Sequence, residues 1–337
     1  MKFDFAIGNP PYQQPSNGDN ANDTPVYHYF FDAAMEIAEK VELITPARFL
    51  FNAGGTPSQW NEKMLNNTHY KVEKYYKNAS EVFPNTDIKG GVAVSYIDTN
   101  KYYGAIELFT PYEELNSLFR RIGISVNSMS NIITNRGICR YSDEAYKKEP
   151  EEMKKTSDKR IAPSCFDRMP KLFTLERPSD GNYIRIIGVQ KGTRISKWFR
   201  REYIADNVCL DKYKVLISKA SGSGLFGEAL SNPIISGPGE GFTETFIAVG
   251  NVESEQEAMF IEKYIRTKFA RALLGILKVT QNMSRDTWKY VPLQDFTLNS
   301  DIDWSKSVSD IDQQLYRKYG LSQEEIDFIE TNVKEMV

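Results

Sequence analysis

The chain has 337 residues, 41% of them hydrophobic and 26% charged, the make-up of an ordinary soluble globular protein with room for two domains. No apolar run approaches the roughly 20 residues a membrane helix needs, and Met1-Lys2-Phe3-Asp4 has no signal-peptide core, so no membrane partner is expected. The net charge of −3 argues, taken whole, against a nucleic-acid binder, but its distribution argues the other way. Residues 1–119 carry net −6, residues 120–220 net +10 and residues 221–337 net −7. A basic middle between acidic flanks suits a polyanion, although a lysine-rich solvated surface would look the same. Cys139, Cys165 and Cys209 lie far apart, with no zinc or disulfide spacing, which fits a reduced cytoplasm.

Residues 1–104 read as alternating strands and helices. Phe3 to Ile7 is a short apolar strand running directly into Gly8-Asn9-Pro10-Pro11. Thr24 and Pro25 supply an N-cap and a first-turn proline for a helix with Tyr27, Phe30, Ala34 and Ile37 on one stripe. Val41 to Thr45 is the next strand, closed by Pro46, and Ser58 caps a second helix to about Asn66. Tyr70 to Tyr76 and Val92 to Ile97 are further strands, the latter reached through the turn-rich Pro84-Asn85-Thr86-Asp87. This alternation implies an α/β fold with a mostly parallel sheet.

From 105 to 337 the pattern changes to α+β with a helical C-terminus. Helical pieces at Glu113–Ile122 lead into a polar, basic stretch over 140–181. Strands follow at Tyr183–Val189, Lys214–Ser218, Ile234–Ser236 and Thr245–Val249, with glycine-rich loops at Ser221–Gly224 and Gly237–Gly241. Ser254 with Glu257, and Ser322 with Glu325, form capping boxes. Ile261, Ile265, Phe269, Leu273 and Ile276 make a core-facing stripe between them.

Asn9-Pro10-Pro11-Tyr12 carries the chemistry. Loops at the carboxyl ends of strands form the ligand crevice of open α/β sheets. An exocyclic amine is a poor nucleophile because its lone pair is delocalised into the ring. Two acceptors aimed at its N–H bonds favour the pyramidal geometry and offset the charge that develops on attack. The Asn9 side-chain oxygen and the Pro10 carbonyl can be those acceptors, with the prolines stiffening the loop. Tyr12 can stack on a base taken out of the duplex, since the amine cannot be reached within it. The plainer reading is a turn, because Asn-Pro and Pro-Pro are common loop punctuation.

In this context the sequence resembles the adenine-specific amino-methyltransferases of restriction–modification enzymes, especially large type II proteins that fuse methylation and cleavage. Phe3 to Tyr12 is similar to their catalytic signature with its strand, Thr45-Pro46-Ala47-Arg48-Phe49-Leu50 to the stretch after the next strand. Val82-Phe83-Pro84 with Gly90-Gly91-Val92-Ala93-Val94 resembles a later segment whose aromatic faces the flipped base. The resemblance implies Asn9, Pro10 and Tyr12 as catalytic residues, with Tyr12 and Phe83 stacking on the base; the plainer reading of Phe83 is a core residue beside a turn. Trp288-Lys289-Tyr290-Val291-Pro292-Leu293 and the last helix are similar to the end of the family's target-recognition domain. The implied architecture is a partial Rossmann-like methyltransferase sheet over 1–104, followed by an α+β target-recognition domain over 105–337.

The family also uses S-adenosylmethionine, held by a glycine-rich loop that precedes the catalytic motif, and only eight residues precede Asn9. The cofactor loop is therefore expected outside this chain, on an upstream methylase or nuclease polypeptide or a missing N-terminal region, which would leave Phe3–Ile7 as a hydrophobic sheet edge. The one internal candidate, Gly237–Gly241, runs into a strand where a cofactor loop opens a helix.

For double-stranded DNA, Lys219, Ser221 and Ser223 sit on a loop whose glycines let backbone amides approach phosphate, unless it is simply a hairpin tip. Gln281, Asn282 and Arg285 can read base edges or cap a turn. Arg194, Lys197, Arg200 and Arg201, interleaved with Trp198 and Phe199, are a weaker basic cluster. Asp87-Ile88-Lys89 superficially resembles the end of a nuclease motif but has no acidic partner at strand spacing. His28 and His69 belong to no ligand pair, and no metal is expected. Two alternatives to the methyltransferase remain: a recognition or partner subunit without its own catalysis, and a truncated remnant.

Overall fold

The computed structural model describes residues 3–14, 24–51, 55–86, 88, 90–122, 127–278 and 280–336. It divides into two compact units, Met1–Phe119 and Arg120–Val337.

In the first unit the elements are β1 (Phe3–Gly8), α1 (Tyr27–Ile37), β2 (Ala38–Pro46), α2 (Ser58–Leu65), β3 (Tyr70–Tyr76) and β4 (Val92–Asp98). They form one mixed sheet in the order β1-β2-β4-β3. Only β1 and β2 pair in parallel, with Phe5 opposite Lys40 and Gly8 opposite Leu43. β4 enters antiparallel to both neighbours, Val41 and Tyr70 each pairing with Ile97. The expectation of a mostly parallel sheet therefore holds for strand direction in β1, β2 and β3 but not for pairing. Among its described residues the link 77–91 contains only a 3₁₀ turn (Ala79–Glu81), too little to carry the chain back across the sheet as a parallel crossover requires. Gly91 immediately precedes β4 at φ +74°, and a Cβ there would stand 2.2 Å from the Tyr76 carbonyl oxygen, so the turn requires glycine.

The core of this unit lies on one face of the sheet. Tyr27, Phe31, Phe49, Trp60, Met64, Tyr70 and Ile97 are buried there, with the Trp60 ring 5.2 Å from Phe49 and 5.7 Å from Phe31. Three local expectations fail. Thr24 and Pro25 do not cap α1; they pair with Gln13–Gln14, and the helix starts at Tyr27 without a side-chain cap. The buried stripe of α1 is Tyr27, His28, Phe31 and Ala34, which leaves Phe30 and Ile37 exposed. Ser58 is likewise the first residue of α2, without a cap bond. Asp87 and Lys89 of the nuclease-like triplet lie outside the described residues.

The division between units falls within a helix, α3 (Glu113–Ile122). The second unit holds β5 (Tyr183–Gln190), β6 (Thr193–Arg200), β7 (Tyr213–Ser218), β8 (Ile234–Ser236), β9 (Glu240–Phe242) and β10 (Phe246–Val252). The helices α4 (Glu255–Arg266), α5 (Lys268–Leu277), α6 (Val308–Lys318) and α7 (Gln323–Asn332) follow. Two three-stranded sheets, β8-β7-β10 and β9-β5-β6, enclose a core to which the polar 140–181 stretch contributes Tyr141, Met153, Phe166 and Phe173. Strand β6 covers the segment read as a basic cluster. Its two-residue turn, Lys191 (φ +50°) and Gly192 (φ +78°), is the hairpin signal that reading passed over. Phe199 is fully buried and stacks on Phe173 at 4.7 Å, while Arg200 and Arg201 pair with Asp180 and Asp206.

The stripe from Ile261 to Ile276 is broken at Thr267 into α4 and α5. The break is stable because the orphan amides of α5 are satisfied from elsewhere: Lys268 and Phe269 donate to Asp312, and Ala270 to the Thr267 hydroxyl. The Ser322–Glu325 capping box is complete, whereas Ser254 accepts from Glu257 N without the full reciprocal bond.

Candidate functional site

Three chain ends meet at one end of the first sheet: the carboxyl ends of β1 and β2 and the start of β4. Ala47, just after β2, donates to Gly91 O at 3.0 Å, which ties the second of these to the third. Asn9-Pro10-Pro11-Tyr12 leaves β1 here. Asn9 is exposed at the strand end and Pro10 is half-buried. The loop is held in place by its last residue, where Val26 N donates to Tyr12 O at 3.0 Å.

Tyr12 and Phe83 come together, with ring centroids 6.3 Å apart and planes at 69°, an edge-to-face contact. Both rings are half-buried. The residues are separated by most of the unit in sequence, and the 79–83 turn brings them into contact, Phe83 N donating to Ala79 O at 2.9 Å. Burial pushes the Tyr12 hydroxyl up to about 12, so it stays neutral, and its oxygen has no partner among the described residues. Chemically this is an apolar aromatic corner on the same loop as an exposed amide side chain, suited to a flat ring bearing N–H donors.

Residues 1–83 match the family model of the Eco57I restriction-modification methylase. The resemblance read from Asn9–Tyr12 is borne out by that match. A protein of Mycoplasma pneumoniae (strain ATCC 29342 / M129 / Subtype 1) described as an "Uncharacterized adenine-specific methylase" is 29% identical over 148 residues. That match spans 41% of this chain and 35% of the relative, so the chain covers about a third of its length. Among solved structures, the type IIL restriction-modification enzyme MmeI in complex with DNA aligns over 98% of this chain and 56% of its own, at 10% identity and a TM-score of 0.40. The type IIG restriction endonuclease BpuSI aligns over 93% and 50%, at 8% identity and a TM-score of 0.32.

In the second unit the two segments singled out for DNA are adjacent. Ala220 and Asn282 form an antiparallel bridge, Ser221 N donates to Gln281 O at 2.9 Å and Met283 N to Lys219 O at 2.7 Å. Gln281, Asn282 and Arg285 are exposed, Lys219 is half-buried, and Arg285 Nε donates to Ser130 O at 2.8 Å. Ser221 differs from expectation: it is buried, and its hydroxyl accepts from Ser231 N at 2.8 Å. Ser223 is exposed, yet its amide and hydroxyl both go to Glu228. The Ser221, Ser223 and Gly224 amides are thus not open to a phosphate, a point that sequence reasoning missed because Glu228 reads as an ordinary surface acid.

The other glycine-rich loop does not fit S-adenosylmethionine. Gly237 N is taken by Glu240 and its carbonyl by Lys214, and the chain continues into strand β9 rather than opening a helix. His28 is buried against Trp60, and the His69 ring nitrogen lies 2.9 Å from Lys101 O. No group of three His, Cys, Asp or Glu suited to a metal occurs among the described residues. Nor is any described helix long and apolar enough to cross a membrane. The three thiols are free and buried.

Proposed function

We propose that the first unit holds and activates a flipped adenine of double-stranded DNA for methylation within a restriction–modification system, and that the second reads the target sequence. The single observation that carries this reading is the Tyr12–Phe83 corner at the end of the first sheet, three residues along the chain from Asn9. In this reading the two rings take the base face, while the Asn9 oxygen and Pro10 carbonyl accept from the exocyclic amine. Lys219, Gln281, Asn282 and Arg285 are the DNA contacts, with Ser221 and Ser223 supporting the loop from within. S-adenosylmethionine supplies the methyl group, and its binding loop lies on a segment that completes the sheet beyond β1.

The edge itself supports that last step. Phe3, Phe5 and Ile7 alternate on one face of β1 and are 66%, 57% and 74% exposed, and among the described residues β1 ends the sheet with one side unpaired. An apolar edge of this kind calls for a cover. The free, buried cysteines suit a reducing compartment such as the cytoplasm. The chain together with its cofactor-bearing segment should transfer methyl groups from S-adenosylmethionine to duplex DNA. Asn9→Ala should lower turnover by about a hundred- to a thousandfold while leaving DNA affinity unchanged. Retained turnover in that variant defeats the assignment. The exposed edge also favours a second reading, a recognition subunit without its own catalysis; calorimetric binding of S-adenosylmethionine by this chain alone would exclude it.

A further inference from the structure

The loop between β7 and β8 turns its donors inward. Ser223 N donates to one Glu228 carboxylate oxygen at 2.7 Å and Gly224 N to the other at 2.8 Å, and the Ser223 hydroxyl adds a third bond at 3.1 Å. The Lys278 ammonium, 3% exposed, closes the ring by pairing with the same carboxylate. Two backbone amides, a hydroxyl and an ammonium converging on one point make an anion site, and here the chain supplies the anion itself. Burial opposes ionisation of Glu228, but the Lys278 pair and the Ser223 and Gly224 amides outweigh it and pull the carboxyl down to about 2. Gly222 has φ +66°, and a Cβ there would lie 2.2 Å from the Glu228 carboxyl carbon, so only glycine admits the carboxylate.

The far side of the loop is clamped as well. Lys334 N donates to Gly227 O at 2.8 Å, and a Cβ on Gly227 would stand 2.1 Å from Asn332 O. The Phe226 ring lies 5.7 Å from Phe328 of α7.

We propose that Glu228, backed by Lys278, is the positioning residue of the DNA-reading surface. Its carboxylate occupies the place a phosphate would take and locks the loop, so that the paired 219–221 and 281–283 segments present Lys219, Gln281 and Asn282 in one fixed arrangement. This rests on reading the second unit as a target-recognition surface. Phosphates then meet side chains on this face, and the Ser223 and Gly224 amides serve the internal carboxylate.

Glu228→Ala empties the ring without filling it. In the full chain it should lower the melting temperature, and a titration of inorganic phosphate should restore it saturably, because the vacated donors accept a free anion. Wild type and Glu228→Gln should show no such restoration. Preference of Glu228→Ala for a selected duplex over random-sequence duplex should fall about tenfold, with random-sequence affinity unchanged or higher. The proposal is overturned if Glu228→Ala keeps the wild-type preference, or if phosphate stabilises wild type as much as the variant. Should Glu228→Ala not fold, Lys278→Met weakens the same ring from its other side and must reduce the preference in the same direction. A wild-type chain with no preference among duplexes would instead defeat the recognition reading, while the phosphate titration still decides whether Glu228 fills the ring.

Discussion

Asn9-Pro10-Pro11-Tyr12 follows β1 in the first unit, and Ser221-Gly222-Ser223-Gly224 follows β7 in the second. Both are strand-end loops of turn-forming residues, and both read in sequence as places to bind something polar. Their polar atoms meet opposite fates. Asn9 stays exposed on the same loop as an aromatic corner whose Tyr12 hydroxyl has no partner among the described residues. The Ser223 and Gly224 amides of the second loop are consumed by Glu228, five and four residues downstream. Loop composition therefore marks where the chain can offer unpaired groups, and the surrounding packing decides whether it does. The same contrast runs through the apolar residues, exposed along β1 and enclosed along β6.

The apolar half of that contrast gives the largest expected effect. Phe199→Ala removes a fully buried ring stacked on Phe173 and should cost about 3–5 kcal/mol in urea unfolding of the second unit. A loss below about 1 kcal/mol would mean that the two sheets do not share this core.

Next comes a buried carboxylate satisfied, like Glu228, by backbone amides, but with the opposite shift. Burial raises Asp312 to about 6 against the opposing pull of the Phe269 and Lys268 amides and Arg271. Its contribution to stability is fully present below about pH 4 and is lost as pH rises through about 6. Across that window the unfolding free energy of wild type should fall relative to Asp312→Asn by about 2–3 kcal/mol. A difference that does not vary with pH would show Asp312 to be solvated.

Tyr12→Ala and Phe83→Ala should each cost about 1–3 kcal/mol in holding an extruded base, read from the fluorescence of 2-aminopurine at the target position. Tyr12→Phe should be close to neutral, because the hydroxyl is uncharged and unpaired among the described residues. A Tyr12→Phe as weak as Tyr12→Ala would make the hydroxyl, not the ring, the functional group. The smallest effect is at the edge. Phe5→Ser should change stability by no more than about 0.5 kcal/mol while reducing self-association in sedimentation, since the ring is 57% exposed. A larger cost would place Phe5 in a packed interface.

Much of the first unit was legible because period and punctuation agree: a short apolar strand, a proline-stiffened loop, then strands closed by Pro46 and opened by Gly90-Gly91. The expected stripe on α1 takes Phe30 for Phe31, adds Ile37 and leaves out His28, because Tyr, Phe and Ile occur all round that helix, and packing against Phe49 and Trp60 selects Phe31 over Phe30. Strand β6 is hidden by its charge, since Lys197 and Arg200 flank Trp198 and Phe199 and read as a cationic patch until Lys191-Gly192 is seen to turn the chain.

The sequence by itself determined the chemistry on offer at the end of β1, an amide, two prolines and a tyrosine in four consecutive residues, because local geometry alone keeps such a loop together. It also determined the capping box at Ser322, a bond between residues three apart. Only the tertiary structure decided that Phe83 meets Tyr12, that 219–221 pairs with 281–283, and that Glu228 fills the loop that looked open. Those contacts join residues whose closeness depends on where a whole strand or helix packs, and burial sets whether a polar group is spent within the fold or left for a ligand.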